Sequence, residues 1–187
     1  PLPPPFPLSP LPEQVKRMRE RLAALGSGPY LGVTWWAGTP RKTGVKIGKA
    51  SFREIPRGEL AAALRQWPGQ VLILQRHPAA GEVAEFAAAL GRPVHDFSAA
   101  NENLEEILAL LSLLDDYVGV SNTNMHLIAG LGKPCRVLVP QATDWGWVVK
   151  DERLLWFPDF RVYQQLPDKR WDQALGKLAE DLAESTI

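Results

Sequence analysis

The clearest capacity for chemistry lies in a polar segment between a predicted strand and a predicted helix. Ser121, Asn122, Thr123, Asn124, Met125 and His126 follow the apolar stretch 117–120. The first four are types that cap helix N-termini, where backbone N–H groups are unpaired and the helix dipole is positive. The pattern predicts an anion-binding site. The alternative is simple capping of a short helix, which needs one such residue rather than four.

A second candidate is the loop 37–49, which contains three glycines and four Lys or Arg residues. Gly38 permits close approach of the backbone to a ligand, and Lys46 or Lys49 could neutralise phosphate. The loop has neither the Walker A pattern nor GxGxxG. A flexible, solvated basic loop is the alternative interpretation.

Further candidates lie at the ends of other predicted strands. Trp36 ends the first strand and Gln75 the second, while Asp144 and Trp145 follow the last, where an aromatic face could cover a sugar or base ring. Core packing of the tryptophans is the alternative. No residue trio suggests a Ser-His-Asp arrangement or a metal site. Catalytic residues are therefore not assigned, and a lone histidine such as His126 is more often structural.

These segments are separated by a regular alternation of strand and helix patterns. Short apolar runs predict strands at 30–36, 70–75, 94–97, 117–120 and 135–139. Amphipathic or alanine-rich runs predict helices at 59–65, 82–90, 104–114, 125–131 and 171–182. The alternation predicts an α/β fold, a three-layer Rossmann-like parallel sheet with helices on both faces. Ligands bind such sheets outside the carboxyl ends of the strands.

The front of the chain differs in composition. Seven of the 17 prolines lie within residues 1–12, which predicts an extended linker or surface strap, with a ligand for a proline-recognition module as the alternative. A helix with Val15, Met18 and Leu22 on one face follows. We therefore divide the chain into a linker plus amphipathic helix at 1–28 and a Rossmann-like domain at 29–187.

Composition narrows the functional classes. A length of 187 residues suits one domain, and a net charge of zero argues against a nucleic-acid partner. The single cysteine excludes an internal disulfide and a cysteine-based zinc site. No apolar run reaches the roughly 18 residues needed to span a membrane, so a cytoplasmic location is expected. The chain begins at Pro1 rather than Met, which suggests a piece of a longer protein.

Four segments resemble a known bacterial family. They are YLGVTWWAG (30–38), DDYVGVSNTNMHLIAGLGKPCRVLVP (115–140), DWGW (144–147) and LLWFPDFRVYQQ (154–165). The family comprises tetratricopeptide-repeat proteins with a glycosyltransferase-like end, related to heptosyltransferases and more distantly to O-linked N-acetylglucosamine transferases. The resemblance runs from about residue 29 to the C-terminus. In related heptosyltransferases the turn before the matching helix reads D-T-G-x-x-H; here His126 is kept and the first three residues are replaced.

The resemblance implies the C-terminal half of a GT-B glycosyltransferase, which binds a nucleotide-sugar donor. The donor diphosphate is expected against the backbone of residues 122–126, neutralised by Lys46 or Lys49, without a metal or other cofactor. The expected partners are a nucleoside diphosphate sugar and an N-terminal half of the same protein, with tetratricopeptide repeats. The isolated chain is expected to be inactive because the acceptor half is missing.

Two other functions stay open at this point. One is a degenerate, non-catalytic glycosyltransferase-like interaction domain, which the altered turn favours. The other is a flavodoxin-like binding domain, although a receiver needs acidic residues where Trp35, Trp36 and Ala37 stand.

Overall fold

A computed structural model describes residues 7–38, 53–140, 149–150, 153–154, 156–157 and 159–184. Its helices are α1 (Pro12–Ala23), α2 (Arg57–Ala63), α3 (Glu82–Leu90), α4 (Leu104–Leu113), α5 (Thr123–Gly130) and α6 (Asp172–Glu184), with a 3-10 helix at Ser98–Glu102. Its strands are β1 (Tyr30–Val33), β2 (Trp36–Ala37), β3 (Arg53–Glu54), β4 (Gln70–Ile73), β5 (His95–Asp96), β6 (Asp116–Val120), β7 (Cys135–Val139), β8 (Val149–Lys150), β9 (Arg153–Leu154) and β10 (Phe160–Gln164).

Within the described residues, six strands form one parallel sheet in the order β10-β7-β6-β1-β4-β5. The chain starts at the centre with β1, builds outward through β4 and β5, then returns to the other side of β1 for β6, β7 and β10. The two directions separate between β1 and β6, and such a point is where α/β sheets bind ligands. The predicted α/β architecture is confirmed.

The sheet is apolar on both faces because helices cover both. Leu31 and Val33 of β1 face a cluster shared with α2, α3 and α6. Leu72 and Leu74 face the opposite cluster, shared with α1, α4 and α5. Strands buried on two faces read as continuous apolar runs. Helix α1 contributes its buried Met18 and Leu22 to the second cluster.

Several element boundaries differ from the sequence prediction, and three differences bear on the site or the sheet. β1 ends at Val33 rather than at Trp36. The N–H of Thr34 still donates to Val118 of β6, but the N–H groups of Trp35 and Trp36 donate to the side chain of Gln75, and Trp36 begins β2, which pairs with β3. α5 begins at Thr123 rather than Met125, since Asn122 caps it. β10 was not predicted at all: its buried Phe160 and Tyr163 alternate with exposed positions, which makes only a weak apolar pattern.

The end of the proline-rich segment lies on α5. The backbone N–H of Leu8 donates to the carbonyl of Gly130 at 2.7 Å. A Cβ at Gly130 would stand 2.5 Å from Cδ1 of Leu8, so a larger residue here would displace the Leu8 side chain. Among the described helices, none has the length and apolar character needed to cross a membrane.

Candidate functional site

A cavity of about 490 Å³ opens at the carboxyl ends of β1, β4 and β6. Its walls come from residues 34 and 36–38 after β1, residues 74–77 after β4, and residues 121–124 at the start of α5. Asn101 of the 3-10 helix completes them. The cavity therefore lies where the strand order reverses direction.

The floor is fixed by a buried hydroxyl and amide network. The hydroxyls of Thr34 and Tyr117 are 2.8 Å apart, and Asn122 Nδ2 donates to them at 2.9 and 3.0 Å respectively. Asn122 Oδ1 accepts from the backbone N–H of Met125 at 3.1 Å, which caps α5. Burial raises the pKa of Tyr117 far above its ordinary value, so its hydroxyl stays protonated. The network ties β1, β6 and α5 together under the cavity.

Gln75 holds the wall that carries Trp36. Its Oε1 accepts from the backbone N–H groups of Trp35 and Trp36 at 2.9 and 3.0 Å, and its Nε2 donates to the carbonyl of Trp36 at 3.1 Å. Trp35 is fully buried and stacks on Phe86 at 5.3 Å between ring centroids. Trp36 is half-buried and lines the cavity. The two adjacent tryptophans thus separate into a core residue and a cavity residue.

A second amide pair stands at the cavity wall. Asn101 Nδ2 donates to the carbonyls of Leu74 and Ser98, at 3.0 and 2.9 Å. Asn124 Nδ2 donates to Asn101 Oδ1 at 3.1 Å. Asn124 is only 5% exposed, so this polar side chain is buried at the start of α5.

Among the described residues, the titratable side chains that line the cavity lie at its rim. Arg76 and His77 line the cavity, and both reach Oε1 of Glu102, at 3.4 and 3.5 Å. His77 has a φ of 48°, a left-handed conformation that is uncommon outside glycine and often found at functional sites. No carboxylate lines the cavity among the described residues. The site therefore combines a neutral amide floor with a partly neutralised cationic rim.

The structure brings most of the predicted site residues together. Those lining one cavity are Trp36, Gly38, Gln75, Ser121, Asn122, Thr123 and Asn124. Met125 is instead buried in the core beneath α5. His126 is exposed and packs edge-on to Phe157, 5.5 Å between ring centroids, outside the cavity lining. Lys46, Lys49, Asp144 and Trp145 lie outside the described residues.

Thr34, Asn101 and Arg76 line the cavity but were missed by sequence reasoning. Thr34 is hidden inside an apolar run, and Asn101 lies in a 3-10 helix that was not predicted. The N-cap of α4 is Asn103, whose side chain accepts from the backbone N–H groups of Glu105 and Glu106. Arg76 directly follows the predicted strand 70–75, and this position is the one sequence signal that could have indicated its place at the cavity. In the described part of the chain, no cluster of three His, Cys, Asp or Glu residues could hold a metal.

Comparison with known proteins relates this architecture to glycosyltransferases. The glycosyl transferase family 9 structure from Veillonella parvula DSM 2008 has a TM-score of 0.66 at 10% identity and covers 97% of this chain and 55% of its own. The ADP-heptose lps heptosyltransferase II of E. coli has a TM-score of 0.60 at 17% identity and covers 100% of this chain and 57% of its own. At these identities the likeness concerns the fold.

In sequence, the chain is similar to Protein FlbA of Caulobacter vibrioides, with 25% identity over 178 residues. No family model matches. The alignment covers 94% of this chain and 28% of FlbA, so the chain spans little more than a quarter of that relative and just over half of the two solved structures. Its Rossmann-like α/β fold matches one half of GT-B glycosyltransferases such as the heptosyltransferases.

Proposed function

We propose that this chain is the donor-binding half of a glycosyltransferase-like protein, and that the cavity holds a nucleoside diphosphate sugar. The supporting observation is the position of the cavity: it opens at the reversal point of a glycosyltransferase-like sheet, beside the start of α5. The unpaired N–H groups of a helix start favour phosphate. Trp36 offers a ring face to a base, held in place by Gln75.

The proposed chemistry is electrostatic. When a sugar is transferred, the nucleoside diphosphate leaves with added negative charge. The start of α5, the rim cation Arg76, the ring N–H of His77, and Lys46 or Lys49 stabilise that charge without a covalent intermediate. The chain supplies donor binding, and the acceptor site belongs to another part of the longer protein.

Calorimetric titration of the chain with the common nucleoside diphosphates and their sugars tests this function. We expect micromolar-to-millimolar binding of at least one of them. Trp36→Ala should weaken that binding about tenfold or more, since stacking a base on an aromatic ring contributes roughly 1–3 kcal/mol. Lys46→Ala should weaken it by removing charge near the phosphates.

The matched control is Trp156→Ala, which removes an exposed tryptophan outside the cavity lining. It should leave the dissociation constant unchanged. Absence of binding to every nucleoside diphosphate and nucleotide sugar would contradict the proposal.

A second candidate function is a non-catalytic domain that keeps the fold but not the transfer reaction. Replacement of D-T-G by Ser121, Asn122 and Thr123 favours it. The longer protein should then bind partners without releasing nucleoside diphosphate from any donor. A coupled assay for released nucleoside diphosphate separates the two functions.

A further inference from the structure

We propose that Asn124 is a specificity residue whose side-chain oxygen accepts a hydrogen bond from a neutral O–H or N–H donor of the ligand. This inference rests on the proposed function and deepens it. It assigns the sugar or base, rather than the phosphates, to the side-chain oxygen of Asn124.

The hydrogen bonds fix which way each amide points. Asn101 faces two backbone carbonyls, those of Leu74 and Ser98, so the atom it presents to them must be its NH₂ group. Its Oδ1 is then the atom turned to Asn124. Asn124 must therefore donate to this oxygen through its NH₂ group, and the 3.1 Å hydrogen bond runs in that direction. The carbonyls thus orient the Asn124 amide through Asn101.

The bond to Asn101 turns the NH₂ group of Asn124 to the protein. Oδ1 is then the side-chain polar atom of Asn124 that can meet a ligand.

Oδ1 of Asn124 has no hydrogen-bond partner within the described residues. Among the described residues, four side chains have a fully buried polar atom without a hydrogen-bond partner: Trp35, Arg57, Trp67 and Arg92. Asn124 Oδ1 is not one of these atoms, so it is open to the cavity that Asn124 lines. An acceptor that is open to the cavity can bond to water in the free protein, and a ligand donor that takes the place of that water keeps the hydrogen bond.

The chemistry of the donor follows from the acceptor. Ionised phosphate oxygens carry no hydrogen to donate, and they repel a carbonyl oxygen at hydrogen-bond distance. A sugar hydroxyl or a base amino group does carry one. The diphosphate accordingly meets the backbone N–H groups at the start of α5 and the guanidinium of Arg76, and not the side-chain oxygen of Asn124.

Calorimetry on the intact 187-residue chain tests the assignment with three probes: ADP, adenosine and inorganic pyrophosphate. Asn124→Leu removes the acceptor at similar volume. We expect it to weaken adenosine and ADP about tenfold, the effect of one lost hydrogen bond, and to leave pyrophosphate unchanged. UDP and uridine form a parallel set if the site prefers uracil.

A nucleotide sugar then identifies the source of the donor. A penalty already present with the nucleoside places Asn124 against the ribose or base. A penalty that appears only with the nucleotide sugar places it against the transferred sugar.

Asn103→Leu is the matched control, because it makes the same change at a helix cap outside the cavity. It should cost stability and leave all three probes unaffected. Asn124→Ala is measured beside Asn124→Leu, so that a folding defect in one variant does not decide the result.

The outcomes separate the two proposals. If the wild-type chain binds ADP and a nucleotide sugar and both Asn124 variants bind both ligands equally well, or if the variants weaken pyrophosphate as much as the other ligands, the role of Asn124 is overturned and the proposed function stands. If the wild-type chain binds no probe and no nucleotide sugar, both are overturned.

Discussion

Asn122 illustrates how one side chain can serve both the fold and the site. Its oxygen caps α5 at the N–H of Met125, and its NH₂ group bonds to the hydroxyls of Thr34 and Tyr117. The helix start that borders the cavity is thereby anchored to two strands. Both capping and cavity shape depend on this residue.

Asn122→Ala should lower the free energy of unfolding by about 1–2 kcal/mol, because it removes an N-cap and leaves buried hydroxyls short of a partner. Urea unfolding followed by circular dichroism measures the change. Thr123→Ala is the control: Thr123 is exposed and lies outside this network, so its loss should change stability by less than about 0.5 kcal/mol. Equal stability of the two variants would contradict the capping role.

Gln75→Leu should lower the free energy of unfolding more than the similar size of the two side chains suggests. It leaves two backbone N–H groups, of Trp35 and Trp36, without their acceptor. We expect a loss of about 2 kcal/mol or more, together with weaker nucleotide binding as Trp36 moves. Gln66→Leu, on an exposed turn, is the matched control and should be nearly neutral in the same unfolding experiment.

For single residues, the sequence predicted which side chains lie at the cavity better than it predicted what each of them bonds to. Ser121, Thr123 and Gln75 could be placed at the cavity because they follow strands, and parallel strands end at one edge. That Gln75 would bond the backbone of Trp35 and Trp36 has no sequence signal, since those residues lie some 40 positions away. The same holds for Asn101, whose carbonyl partner on Leu74 is set by tertiary packing.

Among the elements, β6 depends on a glycine for its fit against the end of β1. A Cβ at Gly119 would stand 2.2 Å from Oγ1 of Thr34 and 3.1 Å from the hydroxyl of Tyr117. These are the hydroxyls that hold Asn122. In α6, by contrast, a Cβ at Gly176 would meet no atom within 4 Å.

The two glycines should therefore respond oppositely to alanine. Gly119→Ala should destabilise by about 1–3 kcal/mol through overpacking and weaken nucleotide binding by shifting Thr34. Gly176→Ala should stabilise by about 0.5–1 kcal/mol, because alanine is the better helix former. Thermal and urea unfolding measure both. A loss of stability in Gly176→Ala would show that α6 packs more tightly than described.

Elements with strong patterns were the ones recovered from sequence. β7 and α3 agree with their predicted bounds because an apolar run or a helical period is flanked by Gly or Pro. β10 was missed because an edge strand covered unevenly by α6 alternates poorly. The early end of β1 could not be foreseen, since its apolar letters continue through Trp36 while its backbone turns away.

Across the whole molecule, a buried charged cluster joins β6, β7, β10 and α6. Arg136 donates to Asp116 at 2.6 Å and to the hydroxyl of Tyr163 at 2.9 Å, and Tyr163 donates to Asp181 at 2.7 Å. Burial, reinforced by the bond to Asp181, raises the pKa of Tyr163 to about 12. The unfolded chain loses this proton at its ordinary value near 10.

Stability should accordingly fall as pH rises from about 10 to about 12. In this range the unfolded state ionises first, so the contribution present below pH 10 is lost. Tyr163→Phe should lower stability at pH 8 by removing two hydrogen bonds, yet show a shallower decline above pH 10. Urea unfolding at pH 8, 10, 11 and 12 measures the slopes. Parallel slopes in wild type and variant would exclude Tyr163 as the titrating group.

The strand order has a consequence for synthesis on the ribosome. β1 is made early but lies at the centre of the sheet, and its partner β6 begins at Asp116. Until that strand emerges, one edge of β1 is unpaired, and such edges favour association with other chains. Pairing over such sequence distances also folds slowly. A nascent chain stopped before α5 therefore has no cavity, and yield should improve when chaperones are abundant.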